Sequence, residues 1–360
     1  MINVTKPYLP AYADYAHYLE GIWQRNWLTN NGPLVNELEL QLKDYLGLEH
    51  FLFLSNGTIA IQMAIKALEL KGEIITTPFS YVATTSSIVW EGCTPVFVDI
   101  DPNTLNLDPA LIEAAITKKT SAILATHVYG NPCDIDGIQA VADKHKLKVI
   151  YDAAHCFGTR YKGRSVFNYG DVSTSSFHAT KLFHTVEGGC VCTTDAEITR
   201  RLSLLRNFGH TSPVEFDGVG INAKNSEFHA AMGLAMLKEM ESIRARRKEQ
   251  WLHYQKLLAK APARTIKIDA EKTEFNYAYF PLIFETESQL LKSMEALNVH
   301  AIYPRRYFYP SLNRINYVNH IPCPVSEDVA PRVLCLPLYH QLSREEQEMI
   351  VRILLRTFRY

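Results

Sequence analysis

Short apolar segments alternate with helical patterns between about residues 50 and 240. The strand-like segments lie at 51–55, 73–77, 96–99, 122–127 and 148–152. A helix is expected to start near Thr58, directly after the first of them. Alternation of strands and helices is typical of an α/β fold, so the pattern predicts a mainly parallel, doubly wound sheet.

The pattern changes towards the C-terminal end of the chain. Leu234 to about Lys260 indicates one long helix leaving the core, and 277–284 indicates a further strand. Ser343 followed by Glu346 is a capping pattern, which predicts a last helix over 346–358. We therefore expect a large domain over residues 1–245, including an N-terminal segment, and a smaller α/β domain over 246–360.

Composition narrows the possible partners and location. The chain has 360 residues, of which 47% are hydrophobic and 21% are charged, and its net charge is −1. Such a balance gives no basic field for nucleic acid or an anionic membrane. No apolar stretch reaches the roughly 18–20 residues that a membrane-spanning helix needs. Because the N-terminus also lacks the apolar core of a signal peptide, we expect a cytoplasmic location, with no nucleic-acid or membrane partner.

The chain has seven cysteines, and none lies in a Cys-x-x-Cys pair. Cys190 and Cys192 are two residues apart on a predicted strand, so both side chains point to one face. We interpret them as buried small apolar residues rather than as metal ligands or a disulfide, and we expect no metal site.

Lys181 carries the clearest chemical signal. It follows the small hydroxyl residues of Ser175–Thr180, and an upstream apolar run ends in Asp152. A lysine that forms a Schiff base and an acid that faces a pyridinium nitrogen are what a pyridoxal-phosphate enzyme needs.

The turn Asn56–Thr58 adds a glycine and a helix N-terminus, where free N–H groups can bind a phosphate; an ordinary helix cap by Thr58 is the alternative. Ligands of such sheets bind past the carboxyl ends of the strands, where these residues fall.

Together these motifs resemble the nucleotide-sugar aminotransferases of the DegT/DnrJ/EryC1/StrS family, a fold-type-I pyridoxal-phosphate group. The likeness runs from Trp27–Pro33 to Val333–Leu338 and so covers nearly the whole chain. It implies pyridoxal 5′-phosphate joined to Lys181 as an internal aldimine, with Asp152 keeping its ring nitrogen protonated. Lys181 would then also move the proton at the substrate carbon.

The resemblance also assigns residues around the cofactor. Gly57, Thr58 and Ser176 would bind its phosphate. Tyr81 would stack on the ring, although Phe79 is a rival for this role. His155 would support Asp152 or lie against the ring, and the alternative is a core histidine.

One further family contact comes from a second subunit. An asparagine of the family reaches the phosphate in the neighbouring subunit, and it aligns with Asn222. Around it the chain departs from the family pattern, with Ile221 in place of an aromatic residue and Ala223–Asn225 in place of an Arg-Met region. If Asn222 keeps this role, the protein is a homodimer with shared active sites.

The resemblance implies L-glutamate as the amino donor and a nucleotide-linked keto-deoxy sugar as the acceptor. The likeness favours conversion of dTDP-4-keto-6-deoxyglucose to the 4-amino sugar. The expected pathway is the biosynthesis of O-antigen (lipopolysaccharide) or another polysaccharide, or of a natural-product sugar. A 3-aminotransferase and an enzyme for UDP- or GDP-linked 4-keto sugars remain alternatives. Thr29, His178 and Tyr307 are the candidate substrate residues. The run 303–309 around Tyr307 suits base stacking and diphosphate contact, or else forms an exposed loop.

Three other functions are weighed against this one. A sugar 3-dehydratase of the same group has histidine at the position of Lys181. A binding or regulatory protein with the same fold would not need Asp152, Ser176 and Lys181 intact. A desulfurase needs a mobile nucleophilic cysteine, and no cysteine here lies in a recognisable flexible loop; a decarboxylase of the same fold type is a related alternative.

Overall fold

The computed structural model describes residues 1–358, which form 15 strands and 12 α-helices. The strands are β1 Ile2–Asn3, β2 His50–Leu54, β3 Glu73–Thr76, β4 Thr94–Phe97, β5 Thr120–Thr126, β6 Lys148–Asp152, β7 Arg160–Tyr161, β8 Arg164–Ser165, β9 Val172–Ser176, β10 Gly189–Thr193, β11 Ala263–Arg264, β12 Thr273–Glu274, β13 Phe280–Phe284, β14 Ile302–Tyr303 and β15 Val333–Leu336. The helices are α1 Tyr12–Arg25, α2 Pro33–Leu46, α3 Gly57–Ala67, α4 Val82–Trp90, α5 Ile112–Ala115, α6 Ile135–His145, α7 Ala196–Arg206, α8 Glu227–Leu237, α9 Met240–Leu257, α10 Glu287–Val299, α11 Pro324–Val329 and α12 Arg344–Thr357.

The central sheet has seven strands in the order β2-β10-β9-β6-β5-β3-β4. The strands from β9 to β4 are parallel to their neighbours, and β10 runs antiparallel between β2 and β9. Each of the five apolar segments singled out in the sequence contributes one strand. The predicted mainly parallel α/β sheet is therefore confirmed.

Helices cover both faces of this sheet. Along β2, Phe51 and Phe53 pack into one core cluster with α2 and α8, while Leu52 and Leu54 pack into another with α3. Successive strand residues point to opposite faces, so a strand covered on both sides is apolar at every position. This explains why the sequence shows continuous apolar runs rather than alternation.

The C-terminal part has a sheet of its own, in the order β11-β13-β15, with α10, α12 and α9 packed around it. The single long helix expected over Leu234 to Lys260 is wrong: α8 ends at Leu237, and α9 begins at Met240. α8 is buried along nearly its whole length, whereas α9 keeps an exposed polar face, so the two halves pack in different surroundings. The boundary at residue 245 falls within α9 and stays a prediction.

The structure also shows where α12 starts, how the two cysteines of β10 lie, and which helices are long and apolar. Ser343 and Glu346 form the predicted capping box, although α12 starts at Arg344 rather than at Glu346. Cys190 and Cys192 are buried on β10 with their Sγ atoms 3.9 Å apart, as expected for two side chains on one face. Within residues 1–358, no helix is both long and apolar enough to cross a membrane.

Candidate active site

A cavity of about 370 Å³ lies at the carboxyl ends of the central strands. The turn after β2, the ends of β6 and β9, and a loop of the C-terminal part all contribute to its wall. Nine of the residues singled out in the sequence line it: Gly57, Thr58, Tyr81, Asp152, His155, Ser176, His178, Lys181 and Tyr307.

The start of α3 forms one end of the cavity. Asn56 caps this helix by accepting a hydrogen bond from the N–H of Ile59 at 2.9 Å, so the alternative of a cap by Thr58 is wrong. Among residues 1–358, the N–H groups of Gly57 and Thr58 donate to no protein acceptor. Two free donors at a helix N-terminus are suited to an anion.

Gly57 allows this helix to meet the end of β9. A Cβ on Gly57 would lie 2.8 Å from the Cβ of Ser176, which is closer than side chains can approach. The Ser176 hydroxyl accepts from the N–H of His178 at 3.4 Å, so its own proton is available to a ligand. Three donors therefore converge at this end of the cavity.

Asp152 is the last residue of β6 and is buried. Its Oδ2 accepts a hydrogen bond from the Thr84 hydroxyl at 2.7 Å, and its Oδ1 accepts one from the N–H of Ala154 at 3.1 Å. Burial raises the pKa of this carboxyl, and the contacts with Thr84, Ala154 and the Lys181 charge act in the opposite direction. A buried carboxylate held in this way is suited to a cationic partner.

Lys181 lies in the loop between β9 and β10 and is only partly exposed. Loss of hydration lowers the pKa of its ammonium to about 8, and the negative charge of Asp152 limits the decrease. A lysine with such a pKa is partly neutral near neutral pH, as a nucleophile or a base must be.

His155 forms part of the cavity wall. Its Nδ1 accepts a hydrogen bond from the N–H of Tyr129 at 3.2 Å, and its ring lies parallel to that of Phe308 with centroids 5.6 Å apart. Burial, and secondly the charge of Lys181, holds the pKa of His155 well below its ordinary value. His155 forms no hydrogen bond with Asp152 in the described part of the chain. It is largely buried but lines the cavity, and a position against the cofactor ring stays a prediction.

Tyr81 and Phe79, the two candidates for the stacking aromatic residue, lie in different surroundings. Phe79 is fully buried and packs edge-on against Tyr129 and Phe308. Tyr81 is 59% exposed and borders the cavity. Of these two residues, Tyr81 is the one whose ring can contact a ligand in the cavity.

The outer part of the cavity carries residues of both charges. His178 Nε2 lies 3.5 Å from a Glu187 carboxylate oxygen, and the Nδ1 of His178 accepts from the N–H of Thr180. Tyr307 and Arg305 line the same cavity, and the Arg305 guanidinium is 5.2 Å from the Tyr307 ring centroid. Arg305 is exposed and forms no ion pair with any residue of 1–358. Its neighbour Arg306 instead pairs with Glu287.

Two predicted site residues do not reach this cavity. Thr29 and Asn222 are both exposed and border no part of it. Asn222 forms an isolated bridge with Asn207. Within one chain, then, the structure leaves both residues apart from Lys181.

The structure also reveals contacts that the sequence analysis missed. Thr84, three residues after Tyr81, donates a hydrogen bond to Asp152, and Thr126 pairs with Asp152 in the sheet register. No sequence signal marked this contact, because Ser80 lies just before the N-cap residue of α4 and Thr84 lies in its first turn. Arg305 lay within a run already singled out for its charge.

These residues match the chemistry of pyridoxal 5′-phosphate. Free donors from Gly57, Thr58 and Ser176 suit its phosphate, Asp152 suits a protonated ring nitrogen, and Lys181 suits its aldehyde. The donors lie at one end of the cavity, while Asp152 and Lys181 border the same space. The site therefore fits this cofactor.

Comparison with known proteins agrees with this geometry. Residues 12–355 match the model of the DegT/DnrJ/EryC1/StrS aminotransferase family. The dTDP-4-amino-4,6-dideoxy-D-glucose transaminase of Escherichia coli is 41% identical over 98% of each chain, and that of Shigella dysenteriae is 42% identical over 97% of each chain. A crystal structure of DesI in the presence of its TDP-sugar product superposes with a TM-score of 0.94 at 33% identity, covering 99% of this chain and 93% of that one.

Proposed function

Because the chain belongs to the DegT/DnrJ/EryC1/StrS aminotransferase family, we propose that it transfers the amino group of L-glutamate to dTDP-4-keto-6-deoxy-D-glucose. It is a pyridoxal-phosphate-dependent aminotransferase that acts on a nucleotide sugar. The choice of sugar rests on 41% and 42% identity, over nearly the full length, to two transaminases named for the 4-amino product.

One observation carries the proposed chemistry: Lys181 and Asp152 border the same cavity, with the free N–H groups of α3 at its end. When bound, pyridoxal phosphate supplies an electron sink for the carbon that loses or gains a proton. The Asp152 carboxylate holds a positive charge at the ring nitrogen. Lys181 Nζ, with its lowered pKa, would hold the cofactor at rest and would take up or return the proton at the substrate carbon.

The remaining contacts orient the ligands. Gly57, Thr58 and Ser176 would anchor the phosphate, and the Tyr81 and His155 side chains, which line the same cavity, would contact the ring. Asp152 and His155 line the cavity and are themselves largely buried, so a ligand that contacts them is partly removed from solvent. We propose His178 and Tyr307 as sugar contacts.

Arg305 is our candidate for the substrate diphosphate. It is an exposed cation at the cavity mouth, next to the Tyr307 ring. A guanidinium donates two parallel hydrogen bonds to a phosphate, and an adjacent aromatic face suits a nucleotide base. This part of the proposal assigns the nucleotide to the C-terminal side of the cavity.

A homodimer with shared sites is also part of the proposal. Asn222 and Thr29 are exposed in one chain, so a second chain is needed to bring them near a cofactor. Exposed apolar residues near them are consistent with a covered surface: Trp27 and Ile221 are close in sequence, and Phe208 is hydrogen-bonded to Ile221. The cytoplasmic location and a role in O-antigen or related polysaccharide synthesis stay predictions.

Incubation of the purified protein with pyridoxal phosphate, L-glutamate and dTDP-4-keto-6-deoxy-D-glucose tests the proposal. We expect a product with an equatorial 4-amine, identified by mass and proton NMR. Lys181→Ala should abolish turnover, and Arg352→Ala, a change at an exposed position on α12, provides a matched control that should not.

Two results would contradict different parts of the proposal. If glutamate bleaches the visible cofactor band but the sugar is not converted, the sugar assignment is wrong and 3-keto, UDP- and GDP-linked sugars are tested next. If Lys181→Ala retains full turnover, the assigned chemistry is wrong.

A further inference from the structure

Three buried hydroxyl groups form a chain that ends on Asp152. Thr84 Oγ1 lies 2.7 Å from Asp152 Oδ2, Ser80 Oγ lies 2.8 Å from Thr84 Oγ1, and Thr126 Oγ1 lies 3.1 Å from Ser80 Oγ. All four side chains are at most 6% exposed. The chain joins the start of α4 to the ends of β5 and β6.

The direction of this chain follows from counting protons. An ionised carboxylate only accepts hydrogen bonds, so the single hydroxyl proton of Thr84 points to Asp152. Thr84 can then only accept from Ser80, and Ser80 can only accept from Thr126. All three hydroxyl dipoles are therefore aligned with their positive ends towards the carboxylate, and aligned hydrogen bonds strengthen one another in a buried setting.

The two carboxylate oxygens are fixed by different partners. Oδ2 is held by Thr84, and Oδ1 is held by the N–H of Ala154 at 3.1 Å. Each oxygen keeps one further acceptor direction. The side chain cannot rotate about its last bond without losing one of these contacts, so its remaining acceptor directions stay fixed towards the cavity that it borders.

We propose that Thr84 is a positioning residue for the cofactor, and that the Thr126–Ser80–Thr84 chain keeps Asp152 ionised and oriented for the ring nitrogen. This inference rests on the proposed function, because it takes pyridoxal phosphate as the ligand. It has a specific consequence: the protonation of the ring nitrogen depends on the hydroxyl group of Thr84, a residue that does not line the cavity.

A matched control lies next to Thr84 in the sequence. Thr85 is also fully buried on α4, but its hydroxyl has no hydrogen-bond partner among the described residues. Thr85→Val and Thr84→Val thus make the same chemical change at adjacent buried positions. Only the second one removes a contact with Asp152.

The test uses the holoenzyme reconstituted with ¹⁵N-labelled pyridoxal phosphate. For Thr84→Val we expect the ring-nitrogen resonance to move towards the unprotonated position and cofactor affinity to fall about tenfold or more, because a hydrogen bond to a charged group is lost. Thr84→Ser keeps the hydroxyl and should restore both properties. Thr85→Val should match the wild type in both.

The proposal is overturned if Thr84→Val and Thr85→Val behave alike in both measurements. Should Thr84→Val fail to fold, Ser80→Ala tests the same chain one link further away, and an unchanged ¹⁵N shift there would count against the proposal. Failure of the proposed function looks different, since the wild-type protein would then show no protonated ring nitrogen or no binding at all.

Discussion

Lys181 offers a quantitative test of the site, because burial shifts its charge state into an accessible pH range. The cavity wall removes hydration from the ammonium and lowers the pKa of Lys181 from 10.5 to about 8. The perturbation is pH itself, applied to the protein without cofactor. The observable is the rate at which Lys181 captures added pyridoxal phosphate.

The size of the effect follows from this pKa. Only a neutral amine attacks an aldehyde, and with a pKa of about 8 roughly one Lys181 in ten is neutral at pH 7. With the ordinary value of 10.5, about one in 3,000 would be neutral, so burial raises the reactive fraction about 300-fold. Above pH 8 this fraction approaches one and the rate should stop rising.

The assay is stopped-flow mixing of apo-protein with pyridoxal phosphate from pH 6 to 10, followed through the visible band. The same reaction with Nα-acetyl-lysine, whose pKa is ordinary, serves as the reference and removes the ionisation of the cofactor itself. We expect the rate for Lys181 divided by the rate for Nα-acetyl-lysine to be constant below pH 8. It should then fall about tenfold per pH unit, because only the reference continues to gain neutral amine.

A ratio that stays constant up to pH 10 would refute the argument that burial controls this lysine. Asp152→Asn provides a second arm, because the Asp152 charge is the cause that raises the pKa of Lys181. Its removal should move the break in the ratio to lower pH. A break that does not move to lower pH would mean that the two side chains are not electrostatically coupled as the structure places them.

Three further predictions follow from other contacts. Glu227 is fully buried and accepts from two N–H groups at the start of α2, at 2.9 and 3.0 Å, so Glu227→Ala should lower the free energy of unfolding by about 2–4 kcal/mol in urea titrations. Arg305→Leu should raise the KM for the nucleotide sugar about tenfold and leave bleaching by glutamate unchanged, because a phosphate contact is lost. Gly57→Ala should weaken cofactor binding in a fluorescence titration, since its Cβ would displace Ser176; equal affinity would contradict the assigned phosphate site.

Much of the fold could be predicted because burial leaves a direct trace in the sequence. Strands covered on both faces appear as continuous apolar runs, and Ser343 with Glu346 marks the start of α12 through side-chain chemistry alone. The break between α8 and α9 left no such trace. Lys238 and Glu239, which separate the two helices, are neither glycine nor proline, so the helical pattern in the sequence continues through the break.

The site could be predicted where chemistry demands a residue type, and less well where geometry decides. Lys181 and Asp152 stand out in the sequence because few residue types can form a Schiff base or pair with a protonated ring nitrogen. Thr84 does not stand out, since a buried threonine on a helix is common and its role depends on a carboxylate far away in the sequence. For Tyr81 and Phe79 the sequence offered two aromatic residues, and only their exposure separates them.

The antiparallel strand β10 explains how the chain holds Lys181 at this edge of the sheet. A parallel strand after β9 would need a crossover, which would carry the chain to the opposite edge before it returned. Because β10 runs back beside β9, with Gly189 opposite Ser176, the loop between them stays at the carboxyl ends and keeps Lys181 over the cavity. The same strand also brings Gly189 against the Asn56–Thr58 turn, where a Cβ would lie 2.4 Å from the carbonyl carbon of Asn56. The one departure from a parallel order in the seven-stranded sheet therefore brings Lys181 and the Asn56–Thr58 turn to a single cavity.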